Sequence, residues 1–179
     1  MSSSHLIRRG GLAAMVGGAL NALQSLLWPS YRENVFFLFL VLGAMAAIAA
    51  IAALLVPQGD RWRMLLAPVI AFVGVALMLV YQLVVLAEQN NMHNLPVVVT
   101  LLLVGLSVST LGLLLLGIVV INLGVLPWWG GAALIAGSPL LAFFVRLLEL
   151  SLPGVVWAVV GYAIFRAARR RPERPSRVR

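Results

Sequence analysis

Residues 34–56 read NVFFLFLVLGAMAAIAAIAALLV, and the chain then breaks at Pro57-Gln58-Gly59-Asp60-Arg61-Trp62-Arg63. From Val35 to Val56 no side chain carries a charge or an amide. A helix that crosses roughly 30 Å of hydrocarbon needs about 20 mainly apolar residues, and this stretch has that length. A membrane β-strand would be about 10 residues long and would alternate apolar with polar side chains. Here the apolar residues fall on every side, so a helix is the reading. Helices also satisfy every backbone group within lipid.

Working outward, the same pattern recurs. Candidate spans are Arg9 to Trp28, Asn34 to Val56, Trp62 to Ala87, Pro96 to Ile121, Pro127 to Arg146 and Leu152 to Ala168. The 179 residues are 63% hydrophobic and 10% charged, with mean hydropathy +1.06. A soluble domain of this size cannot keep so much apolar surface from water. The sequence therefore predicts an all-α protein, a single bundle of six transmembrane helices over residues 1–168. Residues 169–179, arginine-rich with Pro172 and Pro175, are predicted to form a disordered cytoplasmic tail.

All 13 basic residues are arginine. Arg8 and Arg9 precede the first span, Arg61 and Arg63 fill the second break, and Arg166, Arg169, Arg170, Arg171, Arg174, Arg177 and Arg179 end the chain. The opposite breaks hold only Arg32 and Arg146. Short arginine-rich loops stay cytoplasmic, so both termini are placed inside. The uncharged fourth break, Asn122 to Leu126, falls on the same side. No small-x-small cleavage site follows Trp28, which favours an uncleaved first helix over a signal peptide. Trp28, Trp62, Trp128 and Trp129 lie at span ends, the headgroup zone.

Several chemistries are excluded. Without cysteine there is no disulfide, thiol redox couple or cysteine-ligated cluster. Without lysine there is no Schiff base. His5 and His93 lie outside the spans on opposite sides, so paired haem ligands and an H-E-x-x-H zinc site are absent. Asp60 is the only aspartate, which rules out an aspartyl dyad. A histidine close to Ser107, Ser109 or Ser138 is also wanting. No catalytic residue, metal site or cofactor is assigned.

Polar residues inside the spans are few. Asn21, Gln24 and Ser25 lie in the first, Tyr81 and Gln82 in the third, and Ser107, Ser109 and Thr110 in the fourth. Asn21, Gln24, Gln82 and Glu88 would fall in the outer half and form a candidate ligand pocket. Glu88 and His93 are two metal ligands without a third, which reads better as a solvated loop. Arg146 and Glu149 are spaced to pair on a helix. Arg169, Arg170, Arg171 and Arg174 are candidate contacts for lipid headgroups or a partner. Nucleic acid is not indicated, because the positive charge follows the inner breaks.

Small residues mark contact faces: Gly17 or Gly18 with Ala13, Ala14 and Asn21; Gly43 with Ala47; Ala46 with Ala50; Ala133 with Gly137; and Gly154, Ala158 and Gly161. They suit packing within one bundle, or contact with a partner subunit or a second copy. Asn94 and Ser151 are candidate helix caps. Ser138-Pro139 sits near the middle of the fifth span and predicts a bend there.

Gly124-Val125-Leu126-Pro127-Trp128-Trp129-Gly130, the run Gly161-Tyr162-Ala163-Ile164-Phe165-Arg166 and the arginine tail resemble small uncharacterised polytopic membrane proteins of high-GC bacteria. So does the opening Arg8-Arg9-Gly10-Gly11-Leu12-Ala13-Ala14-Met15-Val16-Gly17-Gly18. Those proteins usually carry a basic residue beside the Pro-Trp pair, where Trp128 stands here. The resemblance covers about a third of the chain and implies a bacterial plasma-membrane location but no activity. The expectation is a non-enzymatic structural or accessory subunit. The alternative is a small permease or ligand sensor using the outer pocket. A lipid-modifying enzyme built on Glu88 and His93 ranks last.

Overall fold

The computed structural model describes residues 3–27, 35–58, 61–87, 95–138 and 152–170. Among these the chain is all-helical: α1 Ser3–Leu27, α2 Val35–Leu55 with a 3-10 turn Val56–Gln58, α3 Arg61–Ala87, α4 Leu95–Asn122, α5 Trp128–Ala136 and α6 Leu152–Arg170. Three of them, over Leu38–Gln58, Met64–Val85 and Pro96–Asn122, are long and apolar enough to cross a membrane.

Helix ends follow local chemistry. The turn after α4 is a Schellman cap: Val125 N–H bonds to Val120 O at 3.3 Å and Gly124 N–H to Ile121 O at 3.2 Å. Gly124 takes φ +60° there, a left-handed conformation that costs side-chain-bearing residues about 1–2 kcal/mol. Pro127 stands just before α5, and its carbonyl accepts Gly130 N–H at 2.8 Å. Leu95 and Leu152 put Pro96 and Pro153 in the first turn of α4 and α6, where a missing N–H costs nothing.

Two boundaries differ from the sequence reading. α1 begins at Ser3, well before Arg9, so a polar turn bearing His5 and Arg8 extends the helix. α5 closes at Ala136 instead of running on through Ser138. There Gly137 N–H bonds to Ala133 O at 2.7 Å and Ser138 N–H to Ile135 O at 3.1 Å. Proline has no N–H to give Ile135, and the residue before it avoids the helical region. Ser138 therefore takes the Ile135 carbonyl in a tight final turn. The rest of the expected fifth span, the caps Asn94 and Ser151, the Arg146–Glu149 pair and residues 171–179 lie outside the described residues. Arg169 and Arg170, assigned to the tail, form the last turn of α6, where positive charge complements the helix dipole.

Each helix packs on the next in chain order, and α6 packs back on α1 and α2, which closes the bundle. Of the three membrane-length helices α2 is the most enclosed, 56% buried over that length against 33% and 39% for α3 and α4. Leu40, Ala44, Ala47, Ile51 and Leu54 of α2 meet Val75, Leu113, Trp157 and Ile164 in one core.

The bundle closes through α1. Its doublets Gly10-Gly11 and Gly17-Gly18 repeat two turns apart, and successive residues point about 100° apart around a helix. Gly10 and Gly17 abut α2: a Cβ on Gly10 would lie 2.5 Å from Ala46 O, and one on Gly17 would strike Phe39 O. Gly11 and Gly18 abut α6. A Cβ on Gly11 would lie 2.9 Å from Gly161 O, and one on Gly161 would lie 2.6 Å from Gly11 O. Gly18 and Gly154 are blocked in the same reciprocal way. The partners step in opposite directions, so both pairs are antiparallel. A heptad spacing keeps them in contact at a shallow crossing of about 20°.

The device recurs. Gly105 and Gly112 of α4 face Met78 and Ala71 of α3, while Gly74 of α3 faces Ser109. Gly117 of α4 meets Gly131 of α5, while Gly130 of α5 and Gly137 just past its end meet Ala163 and Val156 of α6. The opposite side of α4 carries an exposed apolar stripe, Val97, Val104, Leu111 and Ile118. A helix at a water surface would carry polar residues there.

The contact can be weighed by substitution. Gly18→Ala places a methyl against the Gly154 carbonyl and Ala158 nitrogen, neither of which can swing aside. It is expected to cost about 1–3 kcal/mol. Gly124→Ala meets no atom within 4 Å and should cost about 1 kcal/mol through its backbone alone. Reversible unfolding of both variants in detergent checks the order. A Gly18→Ala protein as stable as the parent would refute the close contact.

Candidate functional site

Four residues were expected to line an outer pocket. Asn21 is half-buried near the C-terminal end of α1, and Gln82 is buried, 3% exposed, near the C-terminal end of α3. Because α1 and α3 run the same way across α2, the two amides lie toward one end of the bundle, with α2 packed against both helices. Both take part in interactions. The Gln24 side chain and Glu88 lie outside the described residues, as does His93.

Hydroxyls of α4 largely bond within their own helix. Thr100 Oγ1 donates to Pro96 O at 2.8 Å and Ser109 Oγ to Leu106 O at 3.2 Å. Such bonds satisfy a hydroxyl in an apolar setting. Ser107 is exposed and Thr110 is half-buried with a partner. Ser138 is the exception. It is fully buried, and its Oγ has no hydrogen-bond partner among the described residues. It lies just past the end of α5, where Gly137 packs on Val156 of α6.

The opposite end is basic. His5, Arg8 and Arg9 on the first turns of α1 are exposed, as are Arg166, Arg169 and Arg170 on the last turns of α6. Antiparallel packing brings these turns together, and α3 begins at Arg61 on the same end. All 5 acidic residues of the chain fall outside the described residues. Within the described structure, the guanidiniums meet an aromatic ring. Arg8 Cζ lies 5.5 Å from the Phe165 centroid and Arg169 Cζ lies 4.6 Å from it, both within cation–π range. On the neighbouring turn Trp129 and Tyr162 stack with centroids 6.2 Å apart and planes 21° apart.

One further feature is an open apolar groove of about 160 Å³ between α2 and α3, lined by Ile48, Ala52, Leu65, Pro68, Val69 and Phe72. Pro68 lies inside α3 and has no N–H for Met64 O.

Sequence reasoning passed over Phe165, Pro68 and the buried Trp157. Phe165 stands four residues before Arg169, a spacing that puts two side chains together on a helix. Its meeting with Arg8 joins the first and last described helices and has no local signal. Among the described residues no group of three His, Cys, Asp or Glu side chains gathers to hold a metal. The chain matches no protein-family model, no curated protein and no solved structure.

The lone hydroxyl at Ser138 yields a direct test. Burying an unpaired hydroxyl costs about 1–3 kcal/mol, so Ser138→Ala should raise the unfolding midpoint of the purified protein. A fall in that midpoint would mean that the hydroxyl is bonded in the working protein.

Proposed function

We propose that this chain is an integral membrane protein of a bacterial plasma membrane that crosses the bilayer six times, leaves both ends of the chain in the cytosol, and serves without catalysis as a structural or accessory subunit of a membrane complex. The observation that carries the reading is the backbone contact of α1 and α6 alongside α2. α2 is of membrane length. α1 follows it from Gly10–Ala46 to Gly17–Phe39, and α6 follows α1 from Gly11–Gly161 to Gly18–Gly154. Each contact advances about 10 Å along the axis, so helices joined in this way lie at one depth. The exposed arginines of α1 and α6 then gather at one surface, the side favoured for cytoplasmic loops. The subunit role is supported by an interior given over to helix contact and by the apolar outward stripe of α4.

A second reading is a small permease or ligand sensor. It is favoured by the buried Gln82 toward the end that also holds Asn21, and by the unpaired Ser138 beside the end of α5. Discontinuous helices often border binding sites in transporters.

The chain has no cysteine, so single cysteines report topology without background. In intact cells, a membrane-impermeant maleimide should label Ser30→Cys and Asn91→Cys and spare Ser4→Cys and Ser176→Cys. Labelling at position 176 would overturn the topology. Co-purifying subunits support the accessory role. A lone protein whose binding of a small molecule is lost in Asn21→Ala or Gln82→Ala would replace it with the second reading.

A further inference from the structure

The arginine-bearing end holds more order than a charge bias requires. Arg8 and Arg169 come from the first turns of α1 and the last turn of α6, far apart along the chain, onto one ring, Phe165. Beneath them the helices are locked, since a Cβ on Gly11 would lie 3.0 Å from the Phe165 nitrogen. We propose that Arg8 and Arg169, held on Phe165, bind the phosphate of an anionic phospholipid headgroup. The proposal rests on the membrane reading above, which places this end at a bilayer surface.

Two cations drawn to one ring repel each other, and an anion beside them removes that cost. A guanidinium lying over a ring still offers N–H donors at its edge, in a fork that matches a phosphate's oxygens. Arg9, Arg166 and Arg170 are exposed on the same turns and add to the field that attracts anionic lipid. The surface below the pair suits an acyl chain. On α6 the outward residues Tyr162, Val159 and Val155 are 49%, 38% and 47% exposed, and Leu12 on α1 is 41% exposed. The stacked Trp129–Tyr162 pair sits about one turn below Phe165 on α6, and aromatic rings border headgroups. A soluble anion would use the arginines and leave this apolar strip bare. A phospholipid covers both.

The test uses the full chain in detergent, titrated with short-chain phosphatidylglycerol, with phosphatidylcholine of equal chain length, and with inorganic phosphate, and reads the unfolding midpoint. The parent should be stabilised by phosphatidylglycerol well beyond the other two. Arg8→Gln with Arg169→Gln should weaken the phosphatidylglycerol response by about thirtyfold in concentration. The charge-matched pair Arg9→Gln with Arg170→Gln removes the same net charge without touching Phe165 and should weaken it several-fold less than that. Phe165→Leu, which keeps every charge, should weaken it as well, and the midpoint in phosphatidylcholine reports whether each variant has folded. Equal loss in both arginine pairs would replace the site with a diffuse field and overturn the proposal. So would an equal response of the parent to phosphatidylcholine or to phosphate. If the chain proved not to be a membrane protein, the reading beneath it would fail too. A correct topology without phosphatidylglycerol selectivity would sink this inference alone.

Discussion

Gly10-Gly11 and Gly17-Gly18 allow one helix to touch two neighbours at backbone distance, and the closure of the bundle depends on it. In lipid there is no hydrophobic drive between helices, so association rests on dispersion contacts and on how near the backbones come. A single glycine stripe serves one partner. A doublet repeated every two turns serves two, because adjacent residues diverge by about 100°. α1 is thereby held between α2 and α6, and the first and last described helices become neighbours.

The remaining pairs repeat this solution with variations. α4 sets Gly105 and Gly112 against α3 and Gly117 against α5, while Val97, Val104, Leu111 and Ile118 face outward. Both patterns keep a heptad spacing, so each face stays in register along the helix. The α2–α3 pair has no glycine at its contact and leaves the open groove beside Pro68. Close approach follows the placement of small residues more than overall hydrophobicity.

Polar groups are confined in a similar way. Ser109 and Thr100 turn to their own backbone, Gln82 is buried and partnered, and the described arginines lie at one end. Ser138 departs from this pattern where α5 stops. The Phe165 ring departs in another sense, gathering two guanidiniums from helices at opposite ends of the chain. Both departures lie at junctions of α6 with a neighbouring helix.

The sequence by itself determined the helical class, the three apolar runs of membrane length in α2, α3 and α4, and the confinement of arginine to particular breaks. These follow from solvation, which each residue carries into any context. Helix limits were legible to within a residue or two for α2, α3, α4 and α6. They were less so for α1, whose polar first turns look like a flank, and for α5, which stops before Ser138-Pro139 where an unbroken apolar run suggested continuation. Small-residue faces were visible, but Gly17 and Gly18 read as alternatives within one stripe, whereas they serve two partners. The candidate pocket was legible only as a set of amides. Tertiary structure alone decided which helix each glycine meets, that α6 returns to α1, and that Arg8 shares a ring with Arg169. Those pairings join residues far apart along the chain, and no local spacing encodes them, because they arise only when backbones close around a common core.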